Sequence, residues 1–499
     1  MENKLTIKNF ERWGLNKDAI ENLGQRLHDF WKRYHGCFTT LRHDTSEHAL
    51  TYLKGLFLLS NQRNYKEIAR KIEDPTSDGQ NLQHFMSDSP WSATAVFDQI
   101  EQEISQDGRL QGGMLTLDES GERCFGELKA GAGRQYLGNV GKVDMGQVAV
   151  ALGYYTTCLD EPSTIGVWSM ADAELFFPEH WFDEEHKAQF KRHHIPADRK
   201  FQTKLEIGLD LVDRAIADKP PFTCFGCDSF YGRDSDFRAG INDRNTPCLA
   251  DIPANLRVYL EKPETGVPPK KGNGKGRNPT RWKVLNDVKS IEVRQIAKQA
   301  ETQFETIDIR ACERGRLAYD CAKRTVWTIA ADGGTVQCEQ SLIRKEADGS
   351  LSYSLSNADE NVPLKILAQW RSERYFVERT FEDGKSEIGQ DELQAVKYRA
   401  WMHHTAITAL ALWFVAKTKP EWAFQHPKDE TLAKESGLDK LPALSTANVR
   451  LLLQVVMPLE QFTVDDAIEL VTGFLVGRAK STASRLEKQR SLLKKPDPG

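Results

Sequence analysis

The chain predicts a mixed α/β protein whose core is interrupted by a β-rich insertion and flanked by helical regions at both ends. Three observations carry this. Residues 1 to 105 place apolar side chains at three- and four-residue steps, the period of an amphipathic helix. From Gly113 onward the pattern becomes short, partly β-branched apolar runs, with a clear amphipathic helix over 203–218. Between 250 and 370 strand-like runs alternate with polar turns, and helical periodicity returns after Trp370. At 499 residues the chain exceeds what one compact core holds and has room for roughly two to four domains. The expected divisions are a helical N-terminal region (1–108), a first part of the core (109–250), the insertion (251–370), a second part of the core (371–420) and a helical C-terminal region with a basic tail (421–499).

Each element has its own signal. Residues 19–34, 46–59 and 64–72 read as helices. Asp74-Pro75 to Gly79 is a turn, and Ser89-Pro90-Trp91-Ser92 suits the start of a helix over 93–104. Strands are expected at 113–118, 146–155, 163–170 and 173–177, with a glycine-rich stretch over 126–141. Pro220-Pro221 ends the 203–218 helix, and 222–228 follows as a strand. The insertion offers strands at 258–260, 307–310, 325–329, 336–339 and 351–355. Residues 373–385, 393–417, 446–456 and 464–479 read as helices.

Composition narrows the class. The chain is 39% hydrophobic and 28% charged, ordinary for a soluble globular protein. No apolar run reaches a membrane-spanning length, and residues 1–14 lack a signal core, so a cytoplasmic protein without membrane association is expected. Nine cysteines in no framework suggest reduced thiols. Cys224 and Cys227 form one CxxC with no second ligand pair, which suits a buried strand better than zinc. The net charge of -5 argues mildly against a nucleic-acid binder. Its distribution argues the other way. Lys270, Lys271, Lys275, Arg277, Arg281 and Lys283 fall within 268–283 without an acid among them, and 478–495 is similarly basic. Trp282 adjoins the first cluster, where it either packs or stacks on an unpaired base. Trp327 suits sheet packing, and His403 and His404 suit packing on an apolar helix.

Three carboxylates stand out. Asp118 ends the run 114–117, Asp228 ends 222–227, and Glu378 closes Arg374-Tyr375-Phe376-Val377-Glu378 ahead of Lys385. Hard divalent cations take such oxygen ligands, and ions held this way activate an attacking oxygen and stabilise a leaving one. The pattern suggests phosphodiester chemistry.

Arranged in this order, the trio resembles the Asp-Asp-Glu triad of bacterial insertion-sequence DDE transposases. Leu117-Asp118-Glu119-Ser120-Gly121, with Arg134-Gln135-Tyr136 and Gly141-Lys142 behind it, is similar to the first-aspartate block. Asp228-Ser229-Phe230-Tyr231-Gly232 is similar to the second. The third resembles the Tyr-Arg-Glu-Lys signature through Arg374, Glu378 and Lys385, and this chain departs from it by placing Arg371 at the tyrosine position. That spacing selects Glu378 over Glu382, and strand alternation turns Glu119 away from Asp118. The resemblance implies a ribonuclease H-like core and two Mg²⁺ ions, replaceable by Mn²⁺, with Asp118 bridging them and Asp228 and Glu378 each binding one. It implies phosphate contacts for Arg374 and Lys385, and double-stranded DNA (element ends and target) as partner, bound as a homodimer; the helical region 1–108 then serves as a DNA-binding domain, although helices in a polar setting equally suit an all-α packing domain. Arg134, Tyr136 and Lys142 either reach DNA or scaffold their turn. A nuclease that cuts without joining, and a non-catalytic DNA-binding derivative, stand as alternatives; a two-carboxylate glycosidase is more distant.

Overall fold

The computed structural model describes residues 23–40, 43–157, 166–269, 279–312, 315–422, 445–457, 475–476 and 478–487. Lys270, Lys271, Lys275 and Arg277 lie outside the described residues, as does most of the expected 464–479 helix. No helix among the described residues is long and apolar enough to cross a membrane.

The N-terminal helices are α1 (Leu23–Lys32), α2 (Ser46–Leu58), α3 (Tyr65–Ile72), α4 (Gln80–Ser87) and α5 (Ala93–Gln106). Their starts follow side-chain chemistry. Asn64 accepts the Glu67 amide ahead of α3, and Ser92 accepts the Ala95 amide ahead of α5. Their apolar faces join one continuous core with α10 (Tyr398–Trp422), a helix buried on nearly every side. His403 and His404 are packed there. His403 lies between the Met86 and Trp91 carbonyls and stacks on Trp91, while His404 meets Tyr52 Oη and the Gln390 carbonyl.

Ten of the described strands form one mixed sheet. One half runs β4 (Gly166–Leu175), β3 (Lys142–Thr157), β1 (Met114–Arg123), β5 (Cys224–Cys227) and β6 (Cys248–Ile252), with β2 (Gly133–Leu137) end to end with β4 along β3. β1 pairs with β3 antiparallel, and β1, β5 and β6 are parallel neighbours. The sheet continues from β6 through β10 (Leu351–Ser356), β9 (Val336–Lys345), β8 (Gly315–Ile329) and β7 (Glu305–Cys312), all antiparallel. Cys224 and Cys227 are buried in β5, with no exposure.

Helices cover both faces. α6 (Lys204–Asp218), capped by a Thr203–Glu206 box, lays Gly208 against Leu117. α9 (Tyr375–Asp383) lies on the other face, where Val377 sits over Gly153. A Cβ at Gly153 would stand 3.1 Å from Val377 Cγ2, so the bare glycine sets how near this helix comes. α8 (Leu364–Glu373) precedes α9 and packs on β7 to β9. α11 (Thr446–Val456) packs on α2 and α10.

Several boundaries differ from the sequence reading for identifiable reasons. β1 runs past Asp118 to Arg123 because β3 keeps pairing with it to Gly146. The expected strands at 163–170 and 173–177 are one strand, β4, with its register shifted opposite Leu152 and Gly153. The helix expected from 393 begins at Tyr398. A π-helical turn (Gly384–Ile388) follows α9, and Gly389 at φ +80° ends it.

One buried ion pair fastens the strands beyond β6 to the rest of the structure. Arg238, on α7 (Ser235–Asp243), places Nε 2.9 Å from Glu339 Oε1 on β9, and both side chains are almost wholly buried. Arg238 also donates to the Gly232 carbonyl, and Thr328 donates to Glu339. Removing one partner strands a buried charge. Arg238→Ala is therefore expected to cost about 3–5 kcal/mol in urea unfolding, and Arg238→Met with Glu339→Leu clearly less.

Candidate active site

Strand register builds the site. Leu117 pairs with Cys227 across β1 and β5, and Cys227 pairs with Ala250 across β5 and β6. The next residue on each strand is an acid, so Asp118, Asp228 and Asp251 stand in a row at one edge of the parallel strands. Asp228 leaves β5 to cap the turn Ser229–Gly232, accepting the Phe230 and Tyr231 amides at 3.0 and 3.3 Å. Asp118 accepts the Glu119 amide at 2.7 Å. Glu378 reaches the same cleft from α9 with its side chain about half exposed. The cleft has a volume of about 390 Å³ and is also lined by Ser229, Tyr353, Arg371 and Arg374.

Arg374 stands among these acids. Its Nη2 lies 2.9 Å from Glu378 Oε1, its Nη1 3.7 Å from Asp118 Oδ2, and its Nε 2.8 Å from Asp251 Oδ2. Arg371, at the position where the resembled signature has tyrosine, sets Nε 2.8 Å from the other Asp251 oxygen. Ser354 Oγ, on β10, donates to that same oxygen at 2.8 Å. Asp251 is the member that sequence reasoning missed. Its signal was present: an acid directly after a short apolar run, Cys248-Leu249-Ala250, as at Asp118 and Asp228.

Burial, and then the charge of Asp228, push the Asp118 carboxyl up to about 7 against the opposing pull of Arg374. Burial also raises Asp228, with Asp251 adding to the rise, while the capped amides and Arg374 oppose it. A pair of adjacent carboxylates under mutual repulsion, rich in hard oxygen donors, suits a divalent cation. Among the described residues no three acid, histidine or cysteine side chains converge closely enough to grip one ion as they stand. The Arg374 guanidinium lies between Asp118 and Glu378 and supplies positive charge there.

The other singled-out residues fall elsewhere. Glu119 pairs with Lys204 at 2.5 Å and Glu382 with Arg379 at 2.5 Å, so neither lines the cleft. Lys385 lies in the π-helical turn and donates at 3.3 Å to the Gly121 carbonyl, three residues beyond Asp118 on β1. Arg134 and Tyr136 point outward from β2, while Gln135 points inward and donates to the Gly146 carbonyl. Lys142 is exposed at the start of β3, 3.9 Å from Asp144. Arg281 is exposed, and the half-exposed Trp282 rests its indole on the Gly333-Gly334 turn. Trp327 is partly buried in β8, with its backbone bonded to Tyr259.

The raised Asp118 carboxyl has a pH signature. The folded chain holds a proton that the unfolded chain releases near pH 4, so this group's contribution to stability falls as pH rises from about 4 to about 7. Asp118→Asn removes that loss. In thermal melts with chelator present, the melting temperature of Asp118→Asn relative to the parent protein should climb between pH 5 and pH 8.

A family model described as "DDE superfamily endonuclease" matches residues 33–316, more than half of the chain. The match includes Asp118 and Asp228 and ends before Glu378. A probable transposase for insertion sequence element IS701 from Microchaete diplosiphon is 28% identical over 182 residues, 36% of this chain. The aligned stretch spans 42% of that relative's length. The match covers β1, β5 and β6, the strands that build the acid-lined cleft, and the chain belongs to the DDE superfamily of endonucleases.

Proposed function

We propose that this protein is a DNA transposase that cuts the terminal inverted repeats of a mobile element and joins the freed 3′-hydroxyls to target DNA. The observation that carries the reading is the placement of Asp118 and Asp228 side by side on parallel strands, with Glu378 entering the same cleft from α9. The strand order β4-β3-β1-β5-β6 supports a ribonuclease H-like core. The similarity to an IS701 transposase supports the DNA substrate.

Asp118, Asp228 and Glu378 would hold two Mg²⁺ or Mn²⁺ ions, which when bound favour deprotonation of an attacking hydroxyl and stabilise the leaving oxygen. The chain's part is positioning. Asp118 on a central strand and Asp228 at a capped turn fix two sets of oxygens, and Glu378 closes the site from a helix held by Val377 on Gly153. In the first step a water oxygen bonds to the phosphorus at the element end, and the bond to the 3′-oxygen breaks. In the second that 3′-oxygen bonds to a target phosphorus and displaces a target 3′-oxygen. Arg374 supplies positive charge inside the cleft, and Lys385 contacts a phosphate near the cut. Arg134, Tyr136 and Lys142 on the β2–β3 hairpin, and Arg281 and Trp282, track the duplex farther out, in a homodimer that pairs two ends; Lys270, Lys271, Lys275 and Arg277 add charge that neutralises phosphates.

Purified protein with Mg²⁺ and the inverted repeats flanking its coding region should give cleavage and strand-transfer products. Cleavage without joining would identify an endonuclease instead. Asp118→Asn, Asp228→Asn and Glu378→Gln should each lower cleavage on the order of a thousandfold; parental rates in Asp118→Asn would remove the assignment. Arg134→Ala should weaken binding alike on all sequences and reduce the slope of log K against log salt by about one.

A further inference from the structure

We propose that Arg374 is an internal counter-cation of the acid cluster, and that Asp251, oriented by Arg371, is the positioning residue toward which it withdraws when divalent ions load. The proposal rests on the metal-dependent reading above and concerns how the same site is kept ready.

Arg374 is 9% exposed, and its guanidinium divides itself among Glu378, Asp118 and Asp251. Two of these partners are the acids that a cation would claim; the third is not. Asp251 has both oxygens engaged: Arg371 Nε and Ser354 Oγ at Oδ1, and Arg374 Nε at Oδ2. That engagement keeps Asp251 from serving as another ligand and turns it into an anchor. Divalent charge between Asp118 and Glu378 repels the guanidinium at close range in a site of low dielectric. The retreat is short, because Nε already touches Asp251. A guanidinium suits this role, since its planar fork spans several carboxylates at once and stays charged at any physiological pH. The arginine at the signature's tyrosine position then has a reason. Arg371 balances Asp251 and fixes its orientation, which a tyrosine would do without charge.

The test is Mn²⁺ binding by the full-length protein without DNA, with free Mn²⁺ read by electron paramagnetic resonance. Circular dichroism and thermal melts check that each variant is folded. Arg374→Gln removes the competitor and should tighten Mn²⁺ binding roughly tenfold. Asp251→Asn throws Arg374 back onto Asp118 and Glu378 and should weaken binding roughly three- to tenfold. Loss of a nearby negative charge would also weaken binding directly, so the Arg374→Gln background separates the two causes. An effect that acts through Arg374 shrinks to near nothing there. Arg374→Gln binding no tighter than the parent protein, or Asp251→Asn costing the same factor in both backgrounds, overturns the proposal while leaving the functional reading intact. If instead Asp118→Asn with Asp228→Asn keeps parental Mn²⁺ affinity, the acids are not the cation site and both readings fall.

Discussion

Everything at the site depends on the in-register parallel pairing of β1, β5 and β6. Parallel strands advance together, so one residue past the pairs Leu117–Cys227 and Cys227–Ala250 falls at one level of the sheet. A slip of one residue on any strand would turn its acid to the opposite face, toward α6 and the apolar core. The apolar residues just before each acid prevent that slip. Leu117, Cys227 and Ala250 have no measurable exposure, and Leu117 is held against Gly208. Positioning of the acids is thus a by-product of core packing one residue away.

Placing several carboxylates at that level creates an electrostatic problem, and two arginines on one helical run solve it. Arg371 and Arg374 are three apart, so both face the sheet from the junction of α8 and α9. Between them they meet Asp251 twice, Asp118 once and Glu378 once. The residual strain shows in Asp118, whose carboxyl stays up at about 7 despite the nearby guanidinium. Burial outweighs pairing there.

Legibility in the sequence divided along physical lines. Elements with local signals were readable: α3 with its Asn64 cap, α6 behind Thr203 and ahead of Pro220-Pro221, and Thr446–Val456 to the residue. Asp118, Asp228 and Glu378 were picked out by their place after apolar runs and by signature spacing, and the fold gathers them at one cleft. What local pattern could not show was pairing. The extension of β1 past Asp118 comes from β3, a partner more than twenty residues away, and the fusion of two expected strands into β4 comes from the same neighbour. Asp251 also follows a short apolar run, but no signature spacing marks it, and its place in the row shows only once β6 is known to lie beside β5. Lys385 shares its spacing with the signature, yet the π-helical turn rotates it along β1 to Gly121.

The strands beyond β6 are joined to the rest of the sheet by an unbroken ladder of backbone hydrogen bonds, pinned again by Arg238 and Glu339. Ser354, on the first of those strands, touches Asp251 directly. An appendage hinged on loops would share no backbone with the cleft, whereas this one shares its sheet. The glycine turn that seats Trp282 joins β8 to β9, and β9, β10 and β6 pair in turn, so one hydrogen-bonded surface runs from that turn to Asp251.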